Sequence, residues 1–210
     1  SEDGKRWDFA TLLEETEKVD GIERIRYTTS HPRDFTKELV ATIASLKKVC
    51  EHFHLPVQSG SDRVLALMNR GYSRQKYLDL VEEIRRRLPG ASITTDIIVG
   101  FPGEEEADFQ DTLDLVERVR FDSAFIFIYS PRTGTKAADM LGEVPADIKK
   151  KRHSRLLEVQ NRISREKNRE LVGSKVEVLV EGPSERDPRM LAGRTRTNKM
   201  VHFPAARGSS

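Results

Sequence analysis

Four short segments carry most of the side chains that could do chemistry, and each follows a stretch that reads as a β-strand. They are TSHP (Thr29–Pro32), VQSGS (Val57–Ser61), VGFPGE (Val99–Glu104) and YSPRTGT (Tyr129–Thr135). Gln58, Ser59 and Ser61 bring an amide and two hydroxyls to a strand end, a set suited to ribose hydroxyls or a carboxylate. Taken alone, the same segment reads as a strand–turn–helix cap. Asp96 lies inside the apolar run Ala91–Val99, where a carboxylate is costly unless paired. It is therefore either a pocket residue or the partner of an arginine or a backbone amide. Strand alternation puts Asp96 and Ile98 on one face and Thr95 and Ile97 on the other. Gly100 and Gly103 let backbone approach a ligand closely, as many strand-to-helix loops do. Tyr129, Ser130 and Arg132 close the last of these strands, and Arg132 suits a carboxylate or a phosphate as well as it suits plain solvent exposure. His31 before Pro32 reads as structural. The one cysteine, Cys50, can form no internal disulfide and cannot hold a zinc or iron–sulfur site alone, so it reads as a small buried residue ahead of a strand.

The elements that must position these residues follow from periodicity. Helices are expected over Phe9–Val19, Phe35–Leu46, Asp62–Asn69, Ser73–Leu88 (capped by Ser73) and Glu104–Val119. Strands are expected over Arg24–Thr29, His52–Val57, Ala91–Val99 and Ala124–Tyr129, the last two as runs buried on both faces. Strand and helix alternate four times, which predicts a parallel α/β sheet, open or part of a barrel, with the four chemical loops on one face. Four such units are part of a barrel, and a complete one needs further strands upstream. After Pro145 the character changes. Residues 146–170 read as one basic helix, Lys175–Val180 as a half-buried strand, and Leu191–Phe203 as one or two more, the start of a small all-β unit. The tail 205–210 reads as disordered. The expected division is 1–145, 146–170 and 171–210.

Charge follows the same division. Residues 1–148 carry 20 Lys/Arg against 27 Asp/Glu, a balance of −7, whereas residues 149–210 carry 16 against 7, a balance of +9. An acidic body with a basic tail suggests a polyanion partner; a well-solvated charged helix gives the same count. No apolar run approaches the ~18 residues of a membrane span, and the N-terminus lacks the apolar stretch of a signal peptide. The expectation is a cytoplasmic protein with no membrane partner. The absence of an initiator methionine suggests a chain that begins inside a longer one.

The segments HLPVQSGSDRVLALMNRGYSR (His54–Arg74), TTDIIVGFPGE (Thr94–Glu104) and FDSAFIFIYSPRTGTKAADM (Phe121–Met140), together with RYTTSHP (Arg26–Pro32) and GRTRTNK (Gly193–Lys199), resemble the MiaB family of radical-SAM methylthiotransferases in order and spacing. The resemblance implies part of a (β/α) partial TIM-type barrel followed by the beginning of a TRAM domain. It implies S-adenosylmethionine and two 4Fe–4S clusters as cofactors, a tRNA anticodon stem-loop as substrate and a reductant protein as partner. The family reaction adds a methylthio group to isopentenyl-adenosine beside the anticodon. Sister enzymes act on threonylcarbamoyl-adenosine in tRNA or on a ribosomal protein, and the LPVQSGS and TDIIVGFPGE wording favours the tRNA enzymes. The cluster-binding cysteines of the family are absent from this sequence, and clusters need thiolate ligands. This chain alone is therefore expected to hold no metal, to contribute no catalytic residue, and to be inactive, an RNA-binding piece in effect. A barrel aldolase is disfavoured because no apolar strand run carries a lysine. By the resemblance, Gln58, Ser59, Asp96, Ile98, Gly100 and Tyr129 are the cofactor contacts. The RNA contacts are Lys175, Arg194, Arg196, Asn198 and Lys199, with the helix residues Lys149–Arg152 and Arg155 extending that surface. The expected state is a monomer, with an exposed sheet edge open to self-association.

Overall fold

The computed structural model describes residues 8–28 and 31–204. The extreme N-terminus, the end of the expected Arg24–Thr29 strand, Ser30 and the 205–210 tail lie outside them. Six helices and six strands follow in the order α1 (Phe9–Glu17), α2 (Lys37–Ser45), β1 (His52–His54), α3 (Asp62–Leu67), α4 (Arg74–Arg87), β2 (Ser92–Val99), α5 (Glu106–Val119), β3 (Ser123–Ile128), α6 (Ala146–Arg169), β4 (Val178–Pro183), β5 (Met190–Thr195) and β6 (Met200–Pro204).

Helix starts are set by local side-chain chemistry. Asp8, Thr36, Ser61 and Ser73 each accept a hydrogen bond from a first-turn amide, and Glu105 and Asp108 form a reciprocal capping box at α5. Strands β1, β2 and β3 form a parallel sheet in that order, with His54 opposite Thr94 and Asp96 opposite Phe125. The first expected strand is reduced to one parallel bridge, Ile25 to Val49. One sheet face is buried under the helices: Phe53, Leu55, Ile93, Ile97, Leu115, Val116, Phe121, Leu156 and Ile163 share a single core.

The expectation of strands buried on both faces is corrected. β2 alternates between buried and half-buried positions, and β3 is an edge strand whose Phe125 and Phe127 are 60% and 52% exposed. The apolar character of β3 is therefore spread over both faces, although only one of them packs against helices. Helix α6 is no free linker. Its Leu156, Val159, Gln160 and Ile163 pack on the sheet and α5, and Gln160 donates to Phe121 O at 2.9 Å.

Strands β4, β5 and β6 form a separate antiparallel meander with an irregular register between Val180 and Gly182. A seam of polar contacts docks it against the first sheet. Arg24 Nη1 donates to Arg194 O (2.7 Å), Arg26 Nη2 to Thr195 O (2.5 Å) and Ser92 Oγ to Thr197 O (2.9 Å).

Candidate functional site

The loops at the C-terminal end of the parallel sheet are built around Gln58. This residue adopts φ 68°, a left-handed conformation unusual for a side chain larger than glycine. Its N–H donates to Asp96 O and its carbonyl accepts from Ile98 N, both at 2.9 Å, so the VQSGS turn is hooked onto β2. No hydrogen bond to its side-chain amide is found among the described residues, which leaves the amide available at the sheet end. Ser59 is buried at 1% exposure. Its hydroxyl lies 3.4 Å from Thr112 Oγ1 and accepts from Ser61 N at 3.2 Å. Its hydrogen bonds thus stabilise the turn from behind. Gly60 is fixed by space: a Cβ there would stand 2.5 Å from Asp111 O.

The loop after β2 is also held from behind. Gly100, at φ 74°, donates its N–H to Glu104 Oε1 at 2.9 Å, and a Cβ at this position would meet Lys149 Cγ at 2.4 Å. Its close approach is therefore to α6. Glu104 is buried against Arg152 at 2.7 Å; burial raises its pKa, in part offset by the Gly100 amide and Arg152. Burial also opposes ionisation of Asp108, but hydrogen bonds from Arg63, Ser61 and the Glu105 amide outweigh it and leave the pKa lowered. Tyr129 stacks edge-on against Phe101 with Lys149 over its ring, and its hydroxyl is buried with no partner. A buried hydroxyl without a partner is costly, and among the described residues Tyr27 Oη and Gln160 Oε1 share that state.

On the open face of the sheet, Asp96 and Ile98 stand side by side, half-buried, as alternation predicts. Asp96 Oδ2 lies 3.4 Å from His54 Nε2. His54 Nδ1 lies 3.0 Å from Thr94 Oγ1, and that hydroxyl lies 3.2 Å from His52 Nε2. Burial, with Arg26 and His54 nearby, pushes His52 down to about 4. Sequence reading passed over these three residues. The signal was alternation itself: HFH on β1 and TTD on β2 place His52, His54, Thr94 and Asp96 on one face.

The Gln58 backbone is thus bridged to β2 at Ile97, between Asp96 and Ile98, with Tyr129 on the neighbouring strand end, while Ser59 and Gly100 support the loops. His31 caps a short 3₁₀ turn through Nδ1 and packs on Tyr72. Arg132 is exposed. Cys50 is a buried free thiol, and its burial raises its pKa.

The tail residues fall into two groups. Lys175 is exposed at the start of the meander. Arg194 contacts Glu181 at 3.3 Å and Asn198 at 3.4 Å, and Asn198 takes φ 65° in the β5–β6 turn. Arg196 forms a bidentate pair with Glu51 (2.7–3.0 Å), and Lys199 pairs with Asp122 at 3.2 Å and Asn168 at 2.9 Å. Both of these cations are partnered within the chain, across the seam. On α6, Lys149 and Arg152 are buried, whereas Lys150, Lys151 and Arg155 remain exposed. A cleft of about 850 Å³ lies between the start of the parallel sheet and the meander, lined by His52, Phe125, Asn161, Asn198 and Lys199 among others.

A half-open parallel sheet docked to a small antiparallel meander is the frame in which two family models match the chain. Residues 2–116 match the Radical SAM superfamily and residues 169–209 match the TRAM domain. The chain belongs to the radical SAM superfamily, as part of its α/β barrel followed by a TRAM unit. It is 66% identical over 196 residues to a protein of Moorella thermoacetica named tRNA-2-methylthio-N(6)-dimethylallyladenosine synthase, covering 93% of this chain and 44% of that one. A protein of the same name from Natranaerobius thermophilus is 58% identical over the same shares. The chain thus spans less than half the length of these relatives. A solved structure of coproporphyrinogen III oxidase from Escherichia coli, a radical SAM enzyme, gives a TM-score of 0.49 at 20% identity, over 70% of this chain and 32% of that one.

Proposed function

We propose that this chain is the part of a tRNA methylthiotransferase that positions S-adenosylmethionine and docks the tRNA anticodon stem-loop for methylthiolation of dimethylallyl-adenosine. The observation that carries the reading is the 66% identity, over 93% of the chain, to a relative of that name. Residues 1–145 supply the barrel portion, 146–170 the helix that packs on it, and 171–210 the RNA-binding portion.

The orphaned Tyr129 hydroxyl and the unengaged Gln58 amide fit a polar cofactor at the sheet end. There Gln58 and Asp96 would bind hydroxyl or ammonium groups, and Ile98 would give an apolar contact to a base. Ser59 and Gly100 act by holding the two loops in place. When bound, S-adenosylmethionine supplies the radical and the methyl group. The cluster ligands do not fit: no three His, Cys, Asp or Glu side chains among the described residues are grouped as a metal site requires. The isolated chain binds without turning over. No helix among the described residues is long and apolar enough to cross a membrane. A cytoplasmic location, a reductant protein as partner and a monomeric state complete the proposal.

Binding of the full chain to a dimethylallyl-modified anticodon stem-loop, followed over a salt series, tests the RNA side. Micromolar or tighter affinity with a log–log salt dependence supports it. Lys175→Ala will then lower the slope by about one unit, the signature of one lost phosphate contact. Binding no tighter than to an unrelated duplex would remove the reading.

A further inference from the structure

The four side chains on the open face of β1 and β2 form a zigzag, His52–Thr94–His54–Asp96, whose carboxylate end favours one order of protons. The spacings are 3.2 Å from His52 Nε2 to Thr94 Oγ1, 3.0 Å from Thr94 Oγ1 to His54 Nδ1, and 3.4 Å from His54 Nε2 to Asp96 Oδ2. The His54–Asp96 approach is a charge contact rather than a hydrogen bond; a carboxylate only accepts, so a proton rather than a lone pair is favoured on the ring nitrogen nearest it. In a neutral His54 that leaves Nδ1 as an acceptor. Thr94 has one hydroxyl proton and must give it to His54 Nδ1. The Thr94 oxygen then accepts from His52 Nε2–H. Every donor then points toward Asp96, and this is the order with neutral rings that satisfies both hydrogen bonds of Thr94 without turning a lone pair toward the carboxylate. The other groups charged near this row are Arg26, Arg194 and Asp122, which act on His52. Phe125, opposite Asp96 in the register, packs edge-on to the His54 ring and limits its rotation.

We infer that Thr94 and His54 are positioning residues for Asp96. Thr94 locks the His54 tautomer, His54 then holds the Asp96 carboxylate, and Asp96 meets a polar group of the cofactor at the sheet end. The cofactor contact rests on the proposed function; the direction of the chain does not. The row sets two histidines, a threonine and an aspartate together on one sheet face, a set that packing alone does not call for.

Long-range ¹H–¹⁵N correlation of the uniformly ¹⁵N-labelled full chain near neutral pH reads the chain directly. His52 and His54 will both carry a proton on Nε2, with the His54 Nδ1 shift of a hydrogen-bonded acceptor. Thr94→Val, which keeps the side-chain shape, will move His54 Nδ1 toward a bare imine nitrogen. Thr94→Ser will leave it in place. Equilibrium dialysis with S-adenosylmethionine supplies the second readout. Asp96→Asn will weaken binding about tenfold and Thr94→Val about threefold, with Thr94→Ser close to the parent protein. A His54 found as the Nδ1–H tautomer, or unmoved by Thr94→Val, overturns the inference. If Asp96→Asn leaves cofactor binding intact while the histidine signals behave as described, the cofactor reading fails and the positioning role falls with it, while the proton order of the row stands.

Discussion

Lowering the pH from about 8 to about 5 will weaken the fold through His52. Burial, reinforced by Arg26 and His54, lowers its pKa from 6.5 to about 4 in the folded chain. The unfolded chain therefore binds a proton at pH 5 that the folded chain refuses, so stability declines as pH falls below 6.5 and the loss levels off below about 4. Linkage puts the loss at pH 5 at roughly 2 kcal/mol, and partial solvent access to the ring trims it to about 1–1.5 kcal/mol. With a urea dependence of about 2–3 kcal/mol per molar, the unfolding midpoint will drop by ~0.5 M from this residue alone. Other histidines and carboxylates titrate over the same range, so the informative quantity is a difference of differences. His52→Gln keeps a hydrogen-bonding side chain beside Thr94 and removes the titration. Urea midpoints for the parent protein and the variant at both pH values isolate the contribution. An identical pH dependence in the two proteins would refute the reasoning, because it would mean that the folded state takes up the His52 proton without cost.

Two further substitutions probe the supports of the site. Gly60→Ala places a Cβ against the Asp111 carbonyl at 2.5 Å, where backbone rather than a flexible side chain must yield. The expected loss is about 2–3 kcal/mol in urea unfolding, together with weakened cofactor binding as the Gln58 turn is displaced. Arg196→Ala removes the bidentate partner of Glu51 across the seam, and differential scanning calorimetry will show about 1–3 kcal/mol lost. RNA affinity measured below that transition will fall far less than in Lys175→Ala, since Arg196 is engaged within the chain.

Much of the framework could be read from sequence because the signals are local. The capping residues Ser61 and Ser73 mark the starts of α3 and α4, and the β-branched run around Asp96 marks β2. Alternation alone put Asp96 and Ile98 on one face, and the structure places them there. What could not be read depends on distant partners. Arg196 and Lys199 look like RNA contacts in GRTRTNK, yet Arg196 meets Glu51, 145 residues away in sequence, and Lys199 meets Asp122. Nothing near either residue announces those carboxylates. The edge position of β3 was equally hidden, because AFIFIY has the same composition whether one face or both are covered. Gly100 illustrates a third limit. A glycine after a strand signals a close approach, but only the packing shows that the approaching group is Lys149 of α6.

The seam between the two sheets has a consequence for redesign. Arg24, Arg26 and Ser92 all reach across it to main-chain oxygens, those of Arg194, Thr195, Arg196 and Thr197. Every amino acid supplies a carbonyl, so these docking bonds are blind to which side chain stands at position 194. A library randomised there would vary the outward chemistry of the meander while its attachment stays the same. For these main-chain bonds the side chains that matter lie on the other bank, at Arg24 and Arg26, more than a hundred residues away in sequence from the surface they hold in place, whereas Arg196 on the meander is held by its own side chain to Glu51.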